Sequence, residues 1–123
     1  MSWSSLQCQA MANEQDFERV GKGWEGHVSG MCPVQGEGTV DGLRWYFRAR
    51  GSHWEMYIAG KPDTDPLDCM APHLMPGHYM SEDFGAWPDA GYMDLPVAWE
   101  QIQKAIASFR AGTMTPIGEE DEQ

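Results

Sequence analysis

The clearest periodicity in the chain lies between residues 43 and 58. Leu43, Trp45, Phe47 and Ala49 alternate with Arg44, Tyr46, Arg48 and Arg50, the period of two expected of a half-buried strand. After Gly51-Ser52 the alternation resumes, with Trp54, Met56 and Ile58 against His53, Glu55 and Tyr57. Glycine at the first central position of a two-residue loop suits a type II′ turn. Folding about that turn sets Ala49 against Trp54, Phe47 against Met56 and Trp45 against Ile58. Upstream, Asp41-Gly42 accepts the positive φ of a type I′ turn and brings Val40 to Leu43, Gly38 to Trp45 and Gly36 to Phe47. Large aromatics thereby cover two strand glycines. Both hairpins bury the same face of the strand they share. The opposite face pairs Arg48 with Glu55 and Tyr46 with Tyr57.

The flanks are weaker or different in kind. Trp24, Gly26 and Val28 alternate with Glu25, His27 and Ser29, which predicts a further strand, followed by a connection over Gly30 to Gly36. Ala10 to Val20 suggests a short helix capped by Asn13 and ended by Gly21 and Gly23. Near the C-terminus, Ala98, Trp99, Ile102, Ala105, Ile106 and Phe109 form one apolar stripe at helical spacing. Asp94 stands at the capping position and Pro96 in the first turn, where its missing N–H costs nothing. Glu100 and Lys104 are spaced as an i,i+4 pair, and Gly112 is the predicted C-terminal stop. Between sheet and helix, Gly60 to Pro96 holds Pro62, Pro66, Pro72, Pro76, Pro88 and Pro96 and sustains no period. A connection this long is functional, disordered or hides short elements. Its apolar content predicts a loop that wraps the core, with room for one short helix or strand. The expected fold class is α+β: an antiparallel β-meander of about three to four strands packed against a C-terminal amphipathic helix, with a long Pro-rich loop. One domain is bounded at 1–118. The tail from Thr113 to Gln123 is expected to be disordered, with 119–123 its acidic end beyond the domain.

Composition agrees with a packed domain. The chain has 123 residues, 41% of them apolar, with six Trp, enough for a core without staples. Charge changes the picture more. Nineteen Asp and Glu against eight Lys and Arg give −11, a field that disfavours direct contact with nucleic acid or an anionic membrane and favours a basic partner. Cys8, Cys32 and Cys69 are odd in number and form no CxxC pair, which fits a reducing compartment better than a disulfide framework. The first twelve residues lack Lys and Arg and a long apolar run, unlike a secretory signal, and no stretch approaches the roughly 18 apolar residues of a membrane span. A cytoplasmic protein is expected, in the host cytoplasm if phage-encoded.

Candidate chemistry is sparse. Cys69, His73 and His78 fall within ten residues and offer zinc-type ligands, but their spacing matches no closed zinc motif. Cys69 has acidic rather than basic neighbours, which blunts a thiolate. The familiar phosphate-loop, serine-hydrolase, zinc-protease and calcium-loop signatures are absent from the sequence. Asp63, Asp65 and Asp68 form an acidic cluster without the internal glycine that a calcium loop uses. The Arg44, Tyr46, Arg48, Arg50 and Tyr57 face offers cations interleaved with aromatics, suited to stacking on bases, but in a chain of the opposite net charge. Carboxylates at Asp63, Asp65, Asp68, Glu82, Asp83 and Asp89 present the elements of a phosphate-like array able to occupy a basic groove.

In size and charge the chain resembles the small acidic proteins that phages encode against host machinery, anti-CRISPR proteins among them. That resemblance implies an inhibitor and assigns no residue. The expected function is therefore a non-enzymatic acidic binding protein without a cofactor, blocking a basic nucleic-acid-binding site on a protein partner through the Asp63–Asp89 carboxylates. The alternatives are a small metal-binding domain or metal-dependent enzyme using Cys69, His73 and His78, and a structural or assembly protein. Elemental analysis separates the metal alternative: purified protein should carry no stoichiometric metal after exhaustive dialysis, and close to one zinc per chain would restore it.

Overall fold

A computed structural model of the chain describes residues 17–118. The chain is an α+β fold: a seven-stranded antiparallel sheet whose spatial order follows the sequence, with one α-helix among the described residues. The strands are β1 Glu18–Gly21, β2 Trp24–Gly30, β3 Val34–Val40, β4 Leu43–Arg50, β5 His53–Ala59, β6 Gly77–Asp83 and β7 Thr115–Ile117, and the helix is α1 Leu95–Ala111. No helix of the described residues is long and apolar enough to cross a membrane.

The two central hairpins have the predicted registers. Asp41 and Gly42 both take positive φ, and Val40, Gly38 and Gly36 face Leu43, Trp45 and Phe47. At the second turn Gly51 takes φ 67°, and Ala49, Phe47 and Trp45 face Trp54, Met56 and Ile58. Side chains alternate across a sheet, so Val28, Val34, Val40, Trp45, Phe47, Ala49, Trp54, Met56 and Ile58 all enter one core. Helix α1 closes it with Ala98, Trp99, Ile102, Ala105 and Ile106. Trp99 meets Trp45 edge-on at 6.4 Å and Trp24 at 5.8 Å, geometries that favour aromatic pairs beyond the area they bury. The glycines are needed for this packing. Gly26 and Gly38 face each other across β2 and β3, and a methyl group on Gly26 would strike the far edge of the Trp45 indole. The ring thus reaches beyond its own partner Gly38 to the next strand. A methyl group on Gly38 would meet the Glu25 carbonyl, backbone that cannot move aside. Gly36 is crowded by Val28 rather than only by the facing Phe47.

The helix ends as expected. Gly112 takes φ 75°, its N–H donates to the Phe109 carbonyl, and the Thr113 N–H donates to the Ser108 carbonyl, the paired bonds of a Schellman stop. At the other end Asp94 caps only through its backbone, since its side chain makes no capping bond. Lys104 turns from Glu100 to Glu82 on β6, with Nζ 2.7 Å from Oε1.

Five expectations need correction. The strand count was too low, because β1, β6 and β7 carry no clean apolar alternation and are recruited by pairing with a neighbour. The helix placed over Ala10 to Val20 is a strand from Glu18 onward, and its earlier part lies outside the described residues. The connection over Gly30 to Gly36 shrinks to three residues, since β3 begins at Val34. Gly60 to Pro96 is not one loop: it contains β6 and the short 3-10 turns Pro66–Cys69 and Asp89–Tyr92. Likewise Thr115–Ile117, placed in the unstructured stretch, pairs with β6. Pro116 is tolerated there because β7 is a short strand whose other side pairs with no described strand. The 119–123 tail lies outside the described residues.

Phe47 is fully buried, with its ring 5.7 Å from that of Trp54. Phe47→Ala should therefore destabilise the fold by about 3–5 kcal/mol. A loss below about 1 kcal/mol in chemical denaturation would contradict this core assignment.

Candidate binding face

Helix α1 covers one face of the sheet, and the other is largely open. Cross-strand pairing places on the open face a continuous row: Glu18, His27, Glu37, Tyr46, Tyr57, Tyr79 and Thr115. A second row beside it runs Val20, Glu25, Thr39 and Arg44. The two rows divide by chemistry. Over β1 to β3 they carry carboxylates and one imidazole, and His27 Nε2 lies 3.7 Å from Glu37 Oε2. Over β4 to β6 they carry three phenols and Arg44. Tyr57 and Tyr79 pack with ring centroids 5.0 Å apart, and Tyr57 Oη donates to Glu55 Oε1 at 3.0 Å. Burial first, and then the neighbouring Glu55 charge, push the Tyr57 hydroxyl well above the usual phenol range. Burial does the same, less strongly, to Tyr46. These phenols stay neutral.

A groove of about 510 Å³ opens over the carboxylate half. Glu18, Glu25, Glu37, His27, Thr39 and Val20 line it, the bare backbone of Gly26 and Gly38 reaches its floor, and Arg44 with Pro66 forms one wall. That wall is held by the 60–76 segment, which folds back over the open face. The Asp65 side chain accepts the Leu67 N–H at 3.0 Å and caps the Pro66–Cys69 turn. Its other carboxylate oxygen lies 3.6 Å from Arg44. Thr64, Pro66 and Cys69 are buried beneath the segment.

The candidate residues separate accordingly. Arg44, Tyr46, Arg48, Arg50 and Tyr57 do share the open face, as the alternation requires. The acidic residues do not form one array. Asp63, Asp65 and Asp68 lie at the end of the sheet where Ala59 meets Gly77, whereas Asp83 faces His53 at the other end. Asp89 accompanies Asp83, because the Ala90 N–H donates to Gly51 at the β4–β5 turn. A seven-residue strand separates these ends by about 20 Å. Glu82 points to the helix side and is engaged by Lys104.

The metal candidates are also divided. Cys69 packs against Gly77, on the Tyr57 side of the sheet, and its Sγ lies 3.6 Å from the Pro76 carbonyl. His78 is on the helix side, 5.1 Å from the Phe109 ring. His73 is exposed on the intervening turn. Among the described residues no group of three or more His, Cys, Asp or Glu is arranged to hold a metal ion. Burial, then Asp68 and Asp65, push the Cys69 thiol up, so it is a poor thiolate.

Glu18, Glu25, His27 and Glu37 were not singled out from the sequence. The alternation over Trp24 to Val28 did place Glu25 and His27 on the polar face. Adding Glu37 required the β2–β3 register, and Glu18 required β1, whose sequence has no apolar period. At the far end of the sheet Met31, Trp87 and Tyr92 are 68%, 77% and 53% exposed, an apolar area around the β2–β3 connection. Comparison with known proteins finds no matching family model, no matching curated protein and no matching solved structure.

Burial of His78 lowers its pKa, so the folded state resists protonation more than the unfolded chain. That contribution to stability is complete above the unfolded imidazole value of about 6.5 and is lost as pH falls through the lower folded value. His78→Gln should flatten this part of the profile. If urea midpoints at pH 8 and 5.5 differ equally in the parent and the variant, His78 does not contribute.

Proposed function

We propose that the chain is a non-enzymatic binding protein that docks the open face of its sheet on a basic surface of a protein partner. Where that surface is a nucleic-acid-binding site, docking blocks it, which makes the chain an inhibitor of the phage-encoded, anti-CRISPR-like type. The observation that carries this reading is the groove over β1 to β3, in which Glu18, Glu25 and Glu37 gather on an uncovered face. Half of the eight cations are used internally. Arg44, Lys104 and Arg110 pair with Asp65, Glu82 and Asp41, and Arg19 lies 5.7 Å over the Trp99 ring. With −11 overall, the uncompensated field is negative and steers a basic partner. Recognition thus moves from the predicted loop carboxylates to the sheet. The loop carboxylates at either end add long-range attraction rather than contact.

The Arg and Tyr half of the same face supports nucleic-acid stacking less well. Arg48 faces Glu55 across the strands, Arg44 is held by Asp65, and the Tyr57 hydroxyl is committed to Glu55. One observation favours a second reading, assembly through an apolar contact: the exposure of Met31, Trp87 and Tyr92.

Salt distinguishes the two. Between about 50 and 500 mM the Debye length falls from roughly 14 to 4 Å. A partner captured from nuclease-treated lysate should bind more weakly at high salt, mainly through a slower on-rate, and should be displaced by nucleic acid. Salt-insensitive binding abolished by Trp87→Ala would replace this function by the assembly reading.

A further inference from the structure

We propose that Asp41-Gly42 is a site of spontaneous isomerisation to isoaspartate and that Arg110 guards it, by holding both oxygens of the Asp41 carboxylate away from the backbone nitrogen that would attack. The sequence contains one Asp-Gly step and no Asn-Gly. Asp-Gly is the most reactive aspartyl step because glycine puts no side chain beside its amide nitrogen. A methyl group on Gly42 would meet nothing within 4 Å, so the turn is open to solvent on that side. The fold nevertheless depends on this pair, since both residues take positive φ, as a type I′ hairpin turn requires.

The reaction has two steps. The Gly42 nitrogen attacks the Asp41 side-chain carboxyl carbon while that carboxyl is protonated. The hydroxyl leaves as water with the amide proton, and a five-membered succinimide closes. Water then reopens the ring. Where it enters at the main-chain carbonyl of Asp41, the chain continues through the side-chain methylene and the old main-chain carbonyl becomes the free carboxylate. One water is lost and one regained, so no further reactant is needed and the mass is unchanged. The product has one extra carbon in the backbone of a two-residue turn. That turn sets Val40 opposite Leu43 and Gly38 opposite Trp45, so the added atom disturbs the register on which the core depends.

The guard is built from three parts of the chain. Arg110, in the last turn of α1, donates from Nε to Asp41 Oδ2 at 3.0 Å and from Nη2 to Oδ1 at 2.9 Å. Nη2 also donates to the Lys22 carbonyl in the β1–β2 turn at 2.8 Å, and the Asp41 N–H donates to the Gly23 carbonyl at 2.8 Å. Gly23, at φ 77°, makes room for the pair: a methyl group there would press on both the Arg110 guanidinium and the Asp41 carboxylate. A two-point, charge-assisted grip fixes the plane of the carboxylate and favours its ionised form, which has no hydroxyl to lose. An exposed bridge adds little to stability, so the value of this one is chemical protection.

The test compares the full-length parent with Arg110→Gln and with Lys104→Gln, which removes another exposed bridge from the same helix. After prolonged incubation at neutral pH, isoaspartate is read as a separated isomer of the tryptic peptide spanning 23–44, and circular dichroism checks that each chain is folded. Arg110→Gln should accumulate the isomer at least fivefold faster than the parent, and Lys104→Gln less than twofold faster. Arg110→Lys keeps the charge but gives up the planar fork, and should fall between the parent and Arg110→Gln. Equal rates in the parent and Arg110→Gln would overturn the guard. Equal acceleration by Lys104→Gln would also overturn it, since general loosening would then suffice. If Arg110→Gln proves unfolded, Arg110→Lys decides, and a rate equal to that of the parent overturns the guard. Under full chemical denaturation all chains should isomerise at one rate, and a difference persisting there would show that the folded clamp is not the cause.

Discussion

The indole of Trp45 is the contact on which most of the architecture depends. It lies between Trp99 of the helix and a facing pair of glycines on β2 and β3. Each side of that contact constrains a different part of the molecule. Toward the helix, an edge-to-face pair of fully buried indoles sets how closely α1 approaches the sheet. Toward the sheet, the absence of a β-carbon at Gly26 lets the ring edge reach from β4 past β3 to β2. A side chain at Gly26 would lift the ring and, with it, the helix, and one at Gly38 would strike the Glu25 backbone and part the strands. Overpacking of that kind costs about 1–3 kcal/mol even before neighbours rearrange.

One-sided burial follows from this arrangement and creates the candidate site. A single helix can cover only one face of a seven-stranded sheet, so the other must remain polar or be covered by loops. The chain does both. The 60–76 segment folds over one end, burying Thr64, Pro66 and Cys69, and leaves the β1–β3 end open. Strict alternation then makes the open face a direct readout of the polar positions between core residues. Glu25, His27, Glu37, Thr39 and Arg44 are surface residues because Gly26, Val28, Gly38, Val40 and Trp45 are not.

Electrostatics sorts the surface further. Several cations are paired locally: Arg110 bonds Asp41 at 2.9 and 3.0 Å and the Lys22 carbonyl at 2.8 Å, tying the helix end to the β3–β4 turn. That pairing holds the Asp41 carboxyl below its usual range. Such exposed bridges add little stability, but they remove positive charge from the field a partner meets. What remains is a carboxylate-rich half-face, a more specific feature than net charge alone, because charge anywhere on the surface serves solubility whereas charge in a groove has shape.

The two central hairpins and the C-terminal helix were legible from residue order, since each is encoded locally. Asp41-Gly42 and Gly51-Ser52 specify turns whose registers agree on one buried face, and the 98–109 stripe specifies a helix stopped by Gly112. The sequence also determined the strong negative charge and the polar face of β4. It did not reveal β1, β6 or β7, because these strands are formed by the hydrogen bonds their neighbours offer, not by an apolar period of their own. For the same reason the carboxylates of Asp63 to Asp89, close in sequence, end at opposite ends of the sheet, and Cys69 and His78 end on opposite faces. Glu18, Glu25 and Glu37 lie far apart in the chain and meet only through register. Which polar residues share a site was decided by tertiary pairing, because strand register, not sequence distance, sets which side chains are neighbours across a sheet.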